Sequence, residues 1–127
     1  MKIVVDAMGG DYAPRVVVQG AVEAVKEYGL DILLVGDSSA IEKELSSIKN
    51  YPKDKIRIIH TDEAVDMDDA PTSSVRKKKN SSISLGINLL KSKEADAFVS
   101  AGNTGAVVCA ATLYLGVLPG IERPGIA

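Results

Sequence analysis

The stretch FVSAGNTGAVV, Phe98 to Val108, stops an apolar run at Ser100, inserts Gly102-Asn103-Thr104-Gly105, and resumes with small apolar residues. A short apolar strand that ends in glycines and short polar side chains, and passes at once into a helical pattern, is the junction from which parallel α/β sheets are built. Gly102 and Gly105 remove the Cβ atoms that would hold a ligand away, and they permit positive φ where strand turns into helix. Ser100, Asn103 and Thr104 set short hydrogen-bonding groups beside the unpaired N–H groups of the helix's first turn. With the positive end of the helix dipole, those donors suit a phosphate or a developing oxyanion. The same residues equally serve a tight strand–helix turn in which Asn103 or Thr104 only caps the helix. The lysine of a GxxxxGK[ST] loop is missing, which disfavours ATP or GTP.

Outward from this junction the alternation repeats. Lys2 to Asp6 (KIVVD) is β-branched and ends before Gly9-Gly10, as a buried strand should. A helix follows, with Pro14 in its first turn, Val17, Ala21, Ala24, Val25 and Tyr28 at helical spacing, and Gly29 as its C-cap. Asp31 to Gly36 (DILLVG) reads as the second strand. Ser38 or Ser39 then caps a helix to about Ser47, with Ile41, Leu45 and Ile48 on one face. Lys55 to His60 (KIRIIH) is the third strand. Beyond an acidic loop, Ser81 caps a helix carrying Ile83, Ile87 and Leu90 on one side. Asp96 to Val99 is the fourth strand, and a helix runs from about Thr104 to Leu115. Such alternation predicts a mostly parallel sheet with helices on both faces, an α/β fold in three layers. After the turn signals in GVLPGIERPGIA, Gly125-Ile126-Ala127 reads as a strand just starting, so the sequence is expected to be the N-terminal part of a longer polypeptide.

In open α/β sheets, ligands sit outside the carboxyl ends of the strands. Three segments occupy such places. SAGNTGA is one. DAMGGDYAP is another: Asp6 ends a strand, Gly9-Gly10 lets backbone approach a ligand closely, and Asp11 is placed for an Asx turn ahead of the helix. It is no GxGxxG fingerprint, so a Rossmann dinucleotide site is not expected. The third is Arg76-Lys77-Lys78-Lys79, ahead of Ser81-Ser82. These cations either face a phosphate or an acidic protein surface, or close a short preceding helix that begins near Ser73, where the dipole favours them.

Composition narrows the function classes. The chain has 127 residues, 46% hydrophobic and 25% charged, enough for one core and too few for two full domains. A net charge of -2 gives no basic surface for nucleic acid. One cysteine, Cys109, precludes an internal disulfide framework and fits a reducing, cytoplasmic setting. Cys109 itself reads as inert helix packing. His60 is the single histidine, so neither a zinc cluster nor a Ser-His-Asp triad can be assembled, and it is read as a strand-end structural residue. The acidic residues Asp62, Glu63, Asp66, Asp68 and Asp69 lack EF-hand spacing and read as a solvated loop with no metal.

Taken in order, Asp6-Ala7-Met8-Gly9-Gly10-Asp11 with Ala13-Pro14, Ser74-x-Arg76-Lys77-Lys78-Lys79 with Ser81-Ser82, Ala95-Asp96-Ala97 with Ser100-Ala101-Gly102-Asn103-Thr104-Gly105-Ala106, and Gly120-Ile121-x-Arg123-Pro124 form a set that resembles the bacterial phosphate acyltransferase family. The resemblance covers the whole chain. Its members are more than twice as long, which implies an N-terminal portion of a single domain whose C-terminal half is missing. The resemblance also implies a three-layer α/β/α enzyme akin to phosphotransacetylases and isocitrate or isopropylmalate dehydrogenases. Its members transfer a long-chain acyl group from acyl carrier protein to inorganic phosphate. The product is an acyl phosphate that feeds phospholipid (phosphatidic acid) synthesis. No cofactor is implied. A homodimer is, cytoplasmic or peripheral at the inner face of the membrane through regions not present here. One departure is visible: Asn80 stands where the family often has aspartate.

On that footing Asn103, Thr104 and Asp6 are the expected catalytic residues. Gly9, Gly10, Asp11, Arg76, Lys78, Lys79, Ser81, Ser82, Ser100, Gly102 and Gly105 are expected to bind phosphate or the acyl group. Phosphate is already an oxyanion nucleophile, so a histidine-poor site is no obstacle. Two other readings of the same turns are an enzyme of similar architecture acting on a small acyl-CoA or, with nicotinamide, on a hydroxy acid, and a non-catalytic anion-binding module.

Overall fold

The computed structural model describes residues 1–126. Its elements alternate along the chain: β1 (Lys2–Asp6), α1 (Arg15–Tyr28), β2 (Asp31–Gly36), α2 (Ser38–Ser46), β3 (Ile56–His60), α3 (Pro71–Lys77), α4 (Ser82–Lys91), β4 (Ala97–Val99) and α5 (Thr104–Tyr114). The strands form one sheet in the order β3-β2-β1-β4, and every pairing is parallel. In register, Val4 lies between Leu33 and Phe98.

Period-two alternation sends neighbouring side chains to opposite faces. Ile32 and Leu34, with Val5, join Val18, Val22 and Val25 of α1 and Ile41 of α2 in one core. Val4, Leu33 and Val35 go the other way, under Leu85 and Leu89 of α4. A further cluster on that side ties Val75 of α3, Ile83 and Ile87 of α4, and Ala106 and Ala110 of α5 together. Each fully buried Val, Leu or Ile contributes about 1.5–3 kcal/mol. The result is the expected three-layer α/β/α sandwich. Gly29 ends α1 in the left-handed conformation at φ 65°, its N–H donating to the Val25 carbonyl.

Several boundaries differ from the sequence reading, each for a local reason. Asp37, not Ser38 or Ser39, caps α2, its carboxylate accepting from the N–H groups of Ser39 and Ala40. That helix ends at Ser46, so Ile48 packs from beyond it. Lys55 closes a short 3-10 turn, and β3 starts at Ile56. The carboxylate of Asp96 accepts from the Lys2 N–H at 2.8 Å, which places Asp96 just outside β4. Pro71, rather than a residue near Ser73, begins α3. Gly125 and Ile126 carry no strand, and Ala127 lies outside the described residues.

Strand order decides where a ligand can enter. From β1 the chain steps outward through β2 to β3, then crosses the opposite face through α3 and α4 and lays β4 on the other side of β1. The order therefore reverses between β1 and β4, and the turns leaving those two strands diverge to opposite faces. A crevice at their carboxyl ends is the consequence.

Candidate functional site

Asp6 stands at the end of β1, 1% exposed. Its Oδ2 accepts from Ser100 Oγ at 2.7 Å and its Oδ1 from the Met8 N–H at 3.1 Å. Ser100 Oγ in turn accepts from the Gly102 N–H at 3.0 Å. A buried carboxylate is thus satisfied by one hydroxyl and one amide, and it stitches the β1 turn to the β4 turn. Gly9 is held in the seam. A Cβ there would lie 2.6 Å from Asp6 Oδ2, 2.8 Å from the Gly102 nitrogen and 2.9 Å from Ser100 Oγ. Gly10, at φ +99°, turns the chain away beside Ala101. The Asp11 carboxylate accepts no hydrogen bond among the described residues. The turn is made instead by the Ala13 N–H on the Gly10 carbonyl, so the Asx turn does not form.

Beyond the seam, α5 begins. Asn103, 5% exposed, caps it with Oδ1, which accepts from the Ala106 N–H at 3.1 Å. Its Nδ2 points the other way, donating to the carbonyls of Asp69 (2.9 Å), Asp66 (3.1 Å) and Met67 (3.3 Å). Both amide hydrogens are therefore committed to the acidic loop. Asn103 is a clasp between that loop and the helix start, not the free donor the sequence suggested. The N–H groups of Thr104 and Gly105 have no acceptor among the described residues, and both residues are exposed. Those are the open donors of the site. Pro71 of α3 packs against the Gly105 Cα, where a Cβ would approach Pro71 Cγ to 2.6 Å.

The cations do not gather here. Arg76 and Lys77 fill the last turn of α3, where the helix dipole favours them. Lys78 turns inward, its Nζ 2.8 Å from both Asp69 Oδ2 and the Ala64 carbonyl. The Lys78 hydrogen bond, aided by the Asp66 N–H, holds the Asp69 carboxyl below its usual range. The same bond with Asp69 raises Lys78. Arg76 and Lys79 border a shallow hollow with Asn88, Leu113 and Tyr114, at the far end of α5, about 15 Å along the axis from Thr104. Ser81 and Ser82 are buried at 0% and 1% exposure. Ser81 Oγ accepts from the Ser84 N–H as the cap of α4, so neither hydroxyl is presented to a ligand.

The remaining sequence candidates fall into structural places. The His60 ring accepts the Ser38 N–H at Nδ1 (3.1 Å) and meets Asp62 Oδ1 from Nε2 (3.0 Å), which ties β3 to α2. Cys109 is half-buried against the cluster of α3, α4 and α5. Sequence reasoning missed the partners of Lys78 and Asn103. A signal for the neighbouring cations was present: Ala70-Pro71 is a helix start with proline at N1, which makes Arg76 and Lys77 C-terminal residues of that helix.

Two hollows flank the end of β4. One, about 410 Å³, runs between β4 and α5, with Ser100 and Thr104 at one end. The other, about 540 Å³, opens at Gly10, Asp11 and Ala101 and continues along α1. Among the described residues no helix is long and apolar enough to cross a membrane.

The sequence matches, over residues 1–127, a family model described as fatty acid synthesis protein. Curated relatives carry the name phosphate acyltransferase. That of Alkaliphilus oremlandii is 51% identical over 127 residues, all of this chain and 38% of its own length. That of Dictyoglomus turgidum is 50% identical over 127 residues, with the same coverage. That of Clostridioides difficile is 45% identical over 124 residues, 98% of this chain and 36% of its own length. The chain spans about 38% of the length of the curated relatives it matches.

Proposed function

Since the chain belongs to the fatty acid synthesis protein family, we propose that it builds the phosphate side of an acyltransferase site that moves a long-chain acyl group from acyl carrier protein to inorganic phosphate. In that reaction a phosphate oxygen attacks the thioester carbon, charge grows on the carbonyl oxygen, and the thiolate departs to leave an acyl phosphate. No base is needed to generate the nucleophile. The chemistry asks for alignment and for donors aimed at the growing charge.

The observation that carries the reading is the pair of open N–H groups at Thr104 and Gly105, at the start of α5 and beside the crevice where the strand order reverses. Asp6 and Ser100 act as positioning residues that fix the turn from which those donors project. Direct contact between the Asp6 carboxylate and a phosphate would be repulsive. Gly9 and Gly102 let the two turns close to van der Waals contact, and Asn103 holds the acidic loop against the same helix start. A homodimer working at the inner face of the membrane in the cytoplasm completes the proposal. It rests on the family resemblance of the sequence motifs.

Thr104→Pro is the sharpest test. Proline is favoured at the first position of a helix, and Asn103 at φ -63°, ψ 104° already has the backbone that precedes proline. The substitution deletes one N–H and leaves the helix intact. In a chain of the relatives' full length, acyl phosphate formation should fall about 10²–10³-fold, while Thr104→Ala, which keeps the N–H, should fall far less. Equal activities for the two variants would remove the helix start from the mechanism.

A further inference from the structure

With seven residues, α3 is too short a helix to hold itself in water, so its place depends on what grips its two ends. The leading end lies against the start of α5. There the Asp69 carbonyl accepts from Asn103 Nδ2 at 2.9 Å. Pro71 packs on Gly105 so closely that a Cβ on the glycine would stand 2.6 Å from Pro71 Cγ. Thr104, which carries one of the open N–H groups, lies in sequence between those two contacts. Asp69-Ala70-Pro71 is therefore one flank of the turn that presents the donors.

The trailing end belongs to Lys78. Its N–H closes α3 on the Ser74 carbonyl, while its side chain reaches the segment that leads into the helix. Nζ meets Asp69 Oδ2 and the Ala64 carbonyl, both at 2.8 Å, and the same Oδ2 accepts from the Asp66 N–H at 2.9 Å. One ammonium thus straps both ends of α3 and the start of the acidic loop to a single carboxylate, through a charge-assisted bond of the stronger kind. Among the described residues Lys78 makes no hydrogen bond to α5, so any effect on the helix start must pass through Asp69.

From this we infer that Lys78 is a positioning residue for phosphate: by holding Asp69 it fixes the flank against which Asn103 and Gly105 rest, and with it the aim of the Thr104 and Gly105 N–H groups. The inference rests on the acyl-transfer reading and deepens it, because it assigns Lys78 to the phosphate half of the reaction and not to the acyl half. A cation that only drew phosphate through space would behave differently. On that account Asp69 opposes the anion, and its removal tightens phosphate. As the hook that Lys78 holds, Asp69 has the opposite effect: its removal loosens the flank and weakens phosphate although a negative charge is lost.

The test uses a chain of the relatives' full length, with phosphate and a palmitoyl thioester of acyl carrier protein varied separately. Lys78→Met and Asp69→Ala should each raise the KM for phosphate about tenfold, through lost alignment, and leave the KM for the thioester unchanged. Combined, they should raise it no further than the larger single change, because both cut one link. A lower phosphate KM in Asp69→Ala overturns the inference. So does a fall in kcat with both KM values kept, which marks only a smaller folded fraction, and so do effects that multiply in the double variant. Should Lys78→Met not fold, Asp69→Ala decides alone, since the two accounts give it opposite signs. If the parent turns over no thioester, the acyl-transfer reading fails, and calorimetric titration with inorganic phosphate then decides the role of Lys78 separately. Binding that Asp69→Ala weakens supports it. Binding that is absent, unchanged or tightened overturns it.

Discussion

α4 and α5 start at the same end of the sheet, each behind a short polar cap, and only one of them is available to a ligand. Ser81 caps α4 through the Ser84 N–H, and the chain around it is sealed: the Ser82 N–H donates to the Glu63 carbonyl, and the Asn80 N–H to the Glu63 carboxylate. Asn103 caps α5 in the same manner, yet Thr104 and Gly105 behind it stay exposed with unpaired N–H groups. The dipoles are alike, so the dipole alone does not make a site. What separates the two starts is what the neighbouring loop does. At α4 the loop reaches in with its own carbonyl and carboxylate. At α5 the loop is held to one side by Asn103 Nδ2, and the first turn is left clear.

The largest blow to this contrast should come from Gly9→Val. With Asp6, Ser100 and Gly102 already in contact, the added side chain must push the β1 and β4 turns apart. A loss of about 1–3 kcal/mol from overpacking, measured by denaturant unfolding, should accompany near-complete loss of activity in the full-length protein. Next come the two caps compared directly. Ser81→Ala should cost about 1 kcal/mol. Asn103→Ala loses a cap worth about as much, and the loop clasp besides, so it should cost more. Amide hydrogen exchange should separate them: Asn103→Ala should speed exchange across the loop from Asp66 to Asp69, and Ser81→Ala should not. Equal exchange in the two would mean that the loop is held by something other than Asn103.

The smallest effect concerns pH. The depressed Asp69 value means its pairing with Lys78 stabilises the loop above the ordinary carboxylate range and is lost as pH falls through the lower folded value. The raised Lys78 value means its part holds below the ordinary lysine range and is lost as pH rises through the higher folded value. NMR shifts of the loop amides should therefore be flat between those limits and move at both. Lys78→Met should abolish the alkaline step and shift the acid one upward. Both groups are about one-third exposed, so the change in global stability should be slight.

The difference between the two helix starts also marks where the sequence stops being informative. β1 and β2 were readable to the residue because a buried parallel strand is a short β-branched run between breakers. Ser81 and Gly29 were readable as caps because capping is local. Three cap-forming residues in a row, Asp37, Ser38 and Ser39, left α2 ambiguous, and the first of them won. The site was half-legible for a similar reason. The glycines and short polar residues marked the right turns. Which donors are free depends on partners far away in sequence: Asn103 to Asp66 is 37 residues and Thr61 to Asn80 is 19. The basic run stayed open between a ligand and the end of a preceding helix because its sign is local but its direction is tertiary; Lys78 answers to Asp69, and Arg76 and Lys77 close α3.

The bond from Ser100 to Asp6 joins residues 94 positions apart. A ribosome adding about 5–20 residues per second therefore makes the first half of the crevice on the order of ten seconds before the second. Until β4 emerges, Asp6 stands at a raw sheet edge without its hydroxyl partner, while α1, β2 and α2 can already settle around β1. Of the two turns that form the crevice, the one after β4 is therefore the later to be made, and any factor that shelters the exposed margin of β1 during synthesis would act before the two are joined.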